Sequence, residues 1–188
     1  MYQQFGKRLL DLSIVFMSLV FLSPLLIVIA CLIKLYDPGP IIFKQQRMGR
    51  CGNSFSFYKF RSMPVNTGDI PSDMLGQIKL TWVGRILRRS NLDELPQLYN
   101  VLKGDMSIVG PRPSLLSQTE LIDIRKHNGA LACRPGLTGF AQVNSFDGMT
   151  VVEKAALDGR YAEKITLMGD ARIIFNTFFY LLKPPPVY

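Results

Sequence analysis

The adjacent carboxylates Asp93 and Glu94 are the residues best suited by type to do chemistry. Two neighbouring acids beside a basic cluster can bind Mg²⁺ and divide the roles of nucleophile and base between them. The same residues admit a structural account. Asp93 can cap a helix that carries Pro96 in its first turn, and Ser90-x-x-Asp93 has the spacing of a capping box. On residue types alone the capping account comes first. A second segment, Lys103 to Pro113, closes on Pro111-Arg112-Pro113. Two prolines stiffen the backbone around Arg112, and a pre-positioned guanidinium can grip a phosphate bidentately. A rigid turn with an exposed arginine explains the residues equally well. The third segment, Arg134 to Val143, holds Gly136 and Gly139. These allow close backbone approach to a ligand, or they simply make turns. None of the three is a Walker loop or a dinucleotide fingerprint.

Other chemistries are narrowed by counting. His127 is the only histidine, which excludes a multi-histidine metal site. Cys31, Cys51 and Cys133 are three in number, far apart and without a Cys-x-x-Cys pair. That argues against a disulfide framework or a zinc site and fits a reducing compartment. Lysine and arginine number 22 against 14 acids, a net charge of +8. Such an excess points to an anionic partner: nucleic acid, an anionic lipid surface or a phosphorylated substrate.

These residues need elements to position them. Leu12 to Leu35 is almost wholly apolar, with Lys34 its only charge, and is long enough to cross a bilayer. Ser23-Pro24 sits at its centre, where proline removes a backbone donor and favours a bend. Both flanks are basic, with Lys7 and Arg8 before the run and Lys44, Arg47 and Arg50 after it. Positive flanks tend to stay cytoplasmic, so a re-entrant hairpin broken at Ser23-Pro24 is expected ahead of a plain span. Asp37-Pro38-Gly39-Pro40 ends the helix.

Ile41 to Gln46 and Ser54 to Arg61 are β-prone runs, and Gly49, Gly52 and Asn53 supply turn chemistry between them, so a β-hairpin is expected. Asn66 to Asp73 has loop composition. Trp82 to Arg89 is amphipathic, with Val83, Ile86 and Leu87 opposite Arg85, Arg88 and Arg89. It suits either the headgroup plane or a surface helix packed on the core. Pro96 to Lys103 is a helix stopped by Gly104. Ser117 to His127 and Val151 to Met168 are further helices. Asp170 to Leu182 is an apolar helix suited to a membrane surface, and the tail from Lys183 to Tyr188 is extended. The fold class is α+β and predominantly helical: a re-entrant membrane helix over 1–36, then a membrane-associated catalytic unit over 37–188 with a small β-hairpin and membrane-surface helices.

Taken in order, these segments resemble the monotopic phosphoglycosyl transferases, also called bacterial sugar transferases. The match runs from Lys7-Arg8-Leu9-Leu10-Asp11 through Ser23-Pro24, Gly39-Pro40 and Lys59-Phe60-Arg61-Ser62-Met63. Its strongest block is Leu92-Asp93-Glu94-Leu95-Pro96-Gln97-Leu98, leading to Asn100-Val101-Leu102-Lys103-Gly104-Asp105-Met106-Ser107 and Gly110-Pro111-Arg112-Pro113. Arg134-Pro135-Gly136-Leu137-Thr138-Gly139 and Ala141-Gln142-Val143 complete it. The chain is similar to the small single-domain type, close to the enzymes that start protein N-glycan assembly in Campylobacter.

The resemblance implies a reaction. An aspartate attacks the β-phosphate of a UDP-sugar, UMP leaves, and polyprenyl (undecaprenyl) phosphate takes the sugar phosphate from the enzyme. Asp93 matches the nucleophile and Glu94 its partner, with Mg²⁺ contacting Asp93. Lys59, Arg88 and Arg112, the last framed by Pro111 and Pro113, are the expected phosphate-side residues. The resemblance also strengthens the re-entrant reading and implies a bacterial inner membrane location, embedded in phospholipid, with the catalytic unit and both termini cytoplasmic. An N-acetylated UDP-hexose is the expected donor, ahead of a plain UDP-hexose. Two other readings compete. A membrane-anchored nucleic-acid binder fits the charge but gives no reason for Asp93-Glu94, and no nucleic-acid partner is expected. A non-catalytic scaffold is disfavoured by the intact acid pair.

Overall fold

A computed structural model describes residues 2–64, 81–145 and 148–182. The expected loop at Asn66 to Asp73 and the tail from Lys183 lie outside the described residues.

A single turn of π-helix, Tyr2–Gly6, leads into α1, Lys7–Tyr36. α1 is one helix of 30 residues with Pro24 inside it. Ser23-Pro24 lies within this helix and does not divide it into two. The physical reason is local. Pro24 has no N–H for the Val20 carbonyl four residues earlier, and the Ser23 hydroxyl donates to that carbonyl at 3.0 Å instead. The orphaned acceptor is satisfied, so the helix runs through.

The expected hairpin of strands is present. β1 (Ile42–Met48) pairs antiparallel with β2 (Ser54–Phe60), with Phe43 opposite Lys59 and Gln46 opposite Ser56. Arg50–Gly52 makes the tight turn between them, with Cys51 at φ 56° and Gly52 at φ 85°. Then come α2 (Trp82–Arg89), a one-turn 3₁₀ helix at Leu92–Glu94, and α3 (Gln97–Lys103). Gly104 ends α3 at φ 91°, the left-handed C-cap that its position predicts. α2 buries Val83 and Leu87 but leaves Ile86 exposed, so its buried stripe is narrower than expected.

A second sheet was not expected. β3 (Ser107–Val109) lies parallel to β4 (Gly136–Thr138), with Ser107 opposite Gly136 and Val109 opposite Thr138. Between them runs α4 (Thr119–His127) and a short turn at Ala130–Ala132. α5 (Phe140–Val143), α6 (Val151–Glu163) and α7 (Leu167–Leu181) follow. α6 opens on a true capping box, Thr150 with Glu153. It stops at Glu163, earlier than the expected Met168, because Thr166 caps a new helix by accepting from the Gly169 N–H.

Two apolar clusters join these elements. One gathers Val15 of α1, Phe55 and Phe57 of β2, Leu98 and Val101 of α3, Ile108 of β3, Tyr161 of α6 and Ile173 of α7. The other gathers Ile29 and Ile33 of α1 with Phe60, Val83 and Leu87. Both halves of α1 thus pack on one body. Leu19 and Leu26 in its middle pack against these clusters too, while Phe16, Val20, Phe21, Ile27 and Val28 are exposed.

Candidate active site

Lys59 reaches the acid pair because β2 is docked on α3, by the packing of Phe55 and Phe57 with Leu98 and Val101 and by hydrogen bonds from one side chain. Asn100, fully buried, donates from Nδ2 to the Ser56 carbonyl at 2.7 Å and accepts from the Tyr58 N–H at 3.1 Å. It takes the place of a third strand along the free edge of β2. The far end of α3 is held by Arg8, which donates to the Val101 and Leu102 carbonyls at 2.6 and 2.8 Å. A cation there satisfies carbonyls the helix cannot, and complements its dipole.

The acid pair sits just before α3, in the 3₁₀ turn that follows Asn91, itself at φ 55°. Glu94 is the hub. Lys59 Nζ lies 2.7 Å from Glu94 Oε1, and Arg112 grips both Glu94 oxygens, Nη2 to Oε1 at 2.5 Å and Nη1 to Oε2 at 3.2 Å. Burial pushes the Glu94 carboxyl up, but Arg112 and then Lys59 outweigh it and hold the group well below the usual carboxylate range. Glu94 therefore stays ionised and orders the two cations. With both oxygens engaged it is poorly placed to take a proton.

Asp93 is different. It is 6% exposed, and its nearest cation, Lys59 Nζ, is 3.9 Å from Oδ2. Burial raises its pKa, Lys59 opposes that, Glu94 adds to it, and Arg88 and Arg112 oppose it again. The result is a carboxylate less stabilised than its neighbour and more nucleophilic. It does not cap α3: the N-cap position is Pro96, which carries no side-chain cap, and the Ser90 hydroxyl bonds the Ile86 and Leu87 carbonyls. The capping-box account is thereby set aside.

Arg88, half-buried on α2, donates from Nε to the Ser62 hydroxyl at 3.0 Å. α2 comes close enough because Gly84 lies against the Ser62 backbone, where a Cβ would stand 1.9 Å from the carbonyl oxygen. Lys59, Arg88 and Arg112 thus surround Asp93-Glu94. Pro111 and Pro113 are buried, so they stiffen the segment that presents Arg112. Ser23 and Pro24 lie in α1, outside this grouping.

The glycines of the third segment are needed where two stretches of backbone meet. A Cβ on Gly136 would lie 2.1 Å from the Gly110 nitrogen, and one on Gly139 2.1 Å from the Gly110 oxygen. They let two stretches of backbone cross in contact. Sequence reasoning missed Asn100, Arg125 and Asp158, whose partners are 33 or more residues away or in another element. Their one signal was a polar residue within an apolar helical stripe. Among the described residues no group of three or more histidines, cysteines or acids comes together.

Comparison with known proteins shows the family of the chain. Residues 2–184 match the family model described as bacterial sugar transferase. A UDP-glucose:undecaprenyl-phosphate glucose-1-phosphate transferase of Caulobacter vibrioides is 38% identical over 97% of this chain and 72% of its own length. One of the same name from Escherichia coli is 38% identical over 92% of this chain but 39% of its own length. A UDP-N-acetylgalactosamine-undecaprenyl-phosphate N-acetylgalactosaminephosphotransferase of Aeromonas hydrophila is 37% identical over 95% of this chain and 44% of its own. The chain thus spans less than half the length of two of these three relatives. With the match covering nearly every described element, the chain belongs to the bacterial sugar transferase family, the phosphoglycosyl transferases that its motifs resemble.

Proposed function

We propose that this chain transfers a sugar 1-phosphate from a UDP-sugar to undecaprenyl phosphate and releases UMP, as a first membrane step of glycoconjugate assembly. The observation that carries the reading is the asymmetry of the acid pair: Glu94 locked by Lys59 and Arg112, Asp93 buried beside it with no hydrogen-bonding cation among the described residues. An Asp93 oxygen attacks the β-phosphorus, and the bond from that phosphorus to the bridging oxygen breaks. UMP departs with the bridging oxygen, leaving an aspartyl phosphosugar. An oxygen of undecaprenyl phosphate then attacks the same phosphorus and the Asp93 carboxylate leaves. Covalent catalysis divides one hard displacement into two easier ones. Lys59, Arg88 and Arg112 balance the charge on the phosphates and on departing UMP.

The residues fit Mg²⁺ in one way. Glu94 is occupied, so Asp93 supplies the carboxylate and the donor's phosphates supply further oxygens, the pattern this ion favours over an all-protein cage. When bound, it neutralises phosphate charge. The donor we propose is a UDP-linked N-acetylated hexose. The glucose named for two of the relatives favours a plain UDP-hexose as the second reading. We further place both ends of the chain on the cytoplasmic face of the inner membrane, in contact with phospholipid. The exposed apolar middle of α1 and the exposed Phe175, Phe178 and Phe179 of α7 support this.

The test is UMP release with Mg²⁺ and undecaprenyl phosphate across a panel of UDP-sugars, beside Asp93→Asn. Release from one donor, lost in the variant, is expected. UMP release undiminished in Asp93→Asn overturns the assignment of the nucleophile.

A further inference from the structure

Four consecutive carbonyls around Arg112 are held from three elements, β4, α4 and, for two of them, β1. The Pro111 carbonyl accepts from the Gly136 N–H at 2.9 Å, and the Ser114 carbonyl from the Met48 N–H at 2.9 Å. The Pro113 carbonyl accepts from Arg47 Nη1 at 3.4 Å, and the Arg112 carbonyl from Arg125 Nη1 at 2.9 Å. The last is the unusual one. Arg125, on α4, is itself fixed by Asp158 on α6: Nε and Nη2 both donate to Asp158 Oδ2, at 2.9 and 2.6 Å. The two side chains are 4% and 2% exposed.

A buried ion pair is a poor way to gain stability, because removing two charges from water costs about as much as their attraction returns. What a forked guanidinium does well is fix geometry. Here the fork has one tine pair on Asp158 and the other on the main chain of Arg112. At its other end, the Arg112 side chain grips Glu94 and stands beside Asp93. The chain of contacts therefore runs Asp158, Arg125, Arg112, Glu94, across α6, α4, the segment after β3, and the 3₁₀ turn.

We propose that the buried Asp158–Arg125 pair is the positioning device for Arg112, setting the angle at which its guanidinium meets both Glu94 and the donor's phosphate. Neither residue touches substrate; both act through Arg112. The inference rests on the phosphate-binding role of Arg112 in the reading above.

The test is a double-mutant cycle on the full chain in membrane or detergent, read as kcat/KM for UMP release. Asp158→Asn keeps the shape and removes the charge. It is made alone, with Arg112→Ala, and beside Arg112→Ala alone. Displacement of a reacting or binding group by about 1 Å can cost up to about 10²-fold, so the single Asp158→Asn loss is expected between roughly tenfold and a hundredfold. In the Arg112→Ala background the same change is expected to cost less than about twofold, because the group it positions is gone. A loss that multiplies in full in that background overturns the positioning role while leaving Arg112 in place as a phosphate ligand. If Arg112→Ala itself leaves UMP release unchanged, the role of Arg112 fails and the inference fails with it. Should Asp158→Asn not fold, Arg125→Lys carries the same cycle, since lysine keeps the charge but cannot fork to Asp158 and the Arg112 carbonyl together.

Discussion

Asp93 is asked to be a nucleophile in a place that resists its charge. Burial raises its pKa above the ordinary carboxylate value of about 3.9, and the charges of Lys59, Arg88 and Arg112 only partly offset this. The attacking form is the ionised one. At limiting Mg²⁺, where kcat/KM reports the metal-free enzyme, activity therefore falls as pH drops through the raised value, and the acid limb is expected above the ordinary carboxylate range. Arg88 favours the charged form, so Arg88→Gln raises the Asp93 pKa further and moves the acid limb to higher pH. A pH–rate profile of wild type and variant checks this, and a limb that stays or moves down removes Asp93 as its origin. Glu94 cannot supply that limb, because Arg112 and Lys59 keep it ionised far below it. At this scale the sequence was informative where a motif is local. Asp93-Glu94 and Pro111-Arg112-Pro113 were legible as chemistry, though a capping account stood ahead of it for the first and a rigid-turn account level with it for the second. Asn100, Arg125 and Asp158 were not, because their partners are distant in sequence and a buried polar residue is silent until its partner is known.

At the scale of elements, hydrophobic period and turn residues were enough for the β1–β2 hairpin, α2, α3 and α4. They were not enough for β3 and β4. Each is three residues long, and a parallel pair needs an intervening crossover, so neither alternation nor a turn marks it. The signal present was the glycines, which mark backbone contact as well as turns or ligands. Gly136→Ala places a methyl group 2.1 Å from the Gly110 nitrogen, against backbone that cannot yield without separating β3 from β4. Overpacking of that kind costs about 3 kcal/mol. Gly129→Ala meets nothing within 4 Å and suffers only its left-handed backbone at φ 80°, about 1–2 kcal/mol. Melting in detergent is expected to show the larger fall in Tm for Gly136→Ala. The reverse order would show that the β3–β4 crossing is looser than its geometry implies. α1 is the counterexample, an element legible in extent but not in form. Pro24 signalled a break, and the neighbouring hydroxyl of Ser23 supplied the missing donor.

The whole molecule sets how α1 can meet a membrane. Near its start, Lys7 pairs with Asp170 at 2.7 Å, and the buried Asp11 accepts from the Ser107 hydroxyl and the Ile108 N–H at 3.0 and 2.9 Å. Near its end, Ile29 and Ile33 pack on Phe60, Val83 and Leu87, and just past it Asp37 pairs with Arg61 at 3.3 Å. One body holds both ends. A spanning helix would put those contacts on opposite sides of about 30 Å of hydrocarbon, and a small polar-surfaced body cannot reach across it. The exposed apolar middle of α1 can instead dip into one leaflet, with the basic flanks in the headgroups. Reporters fused at Met1 and at Tyr188 are therefore expected on the same, cytoplasmic side. Opposite sides would require one set of the contacts above to be absent in the membrane. Lys7→Glu then separates the cases: it breaks the pair with buried Asp170, so under same-side docking it lowers Tm, and under a spanning arrangement that frees this end it leaves Tm unchanged. On the proposed function, the same docking brings a soluble nucleotide sugar and a lipid phosphate to one site, because the body that carries Asp93 grips α1 at both ends.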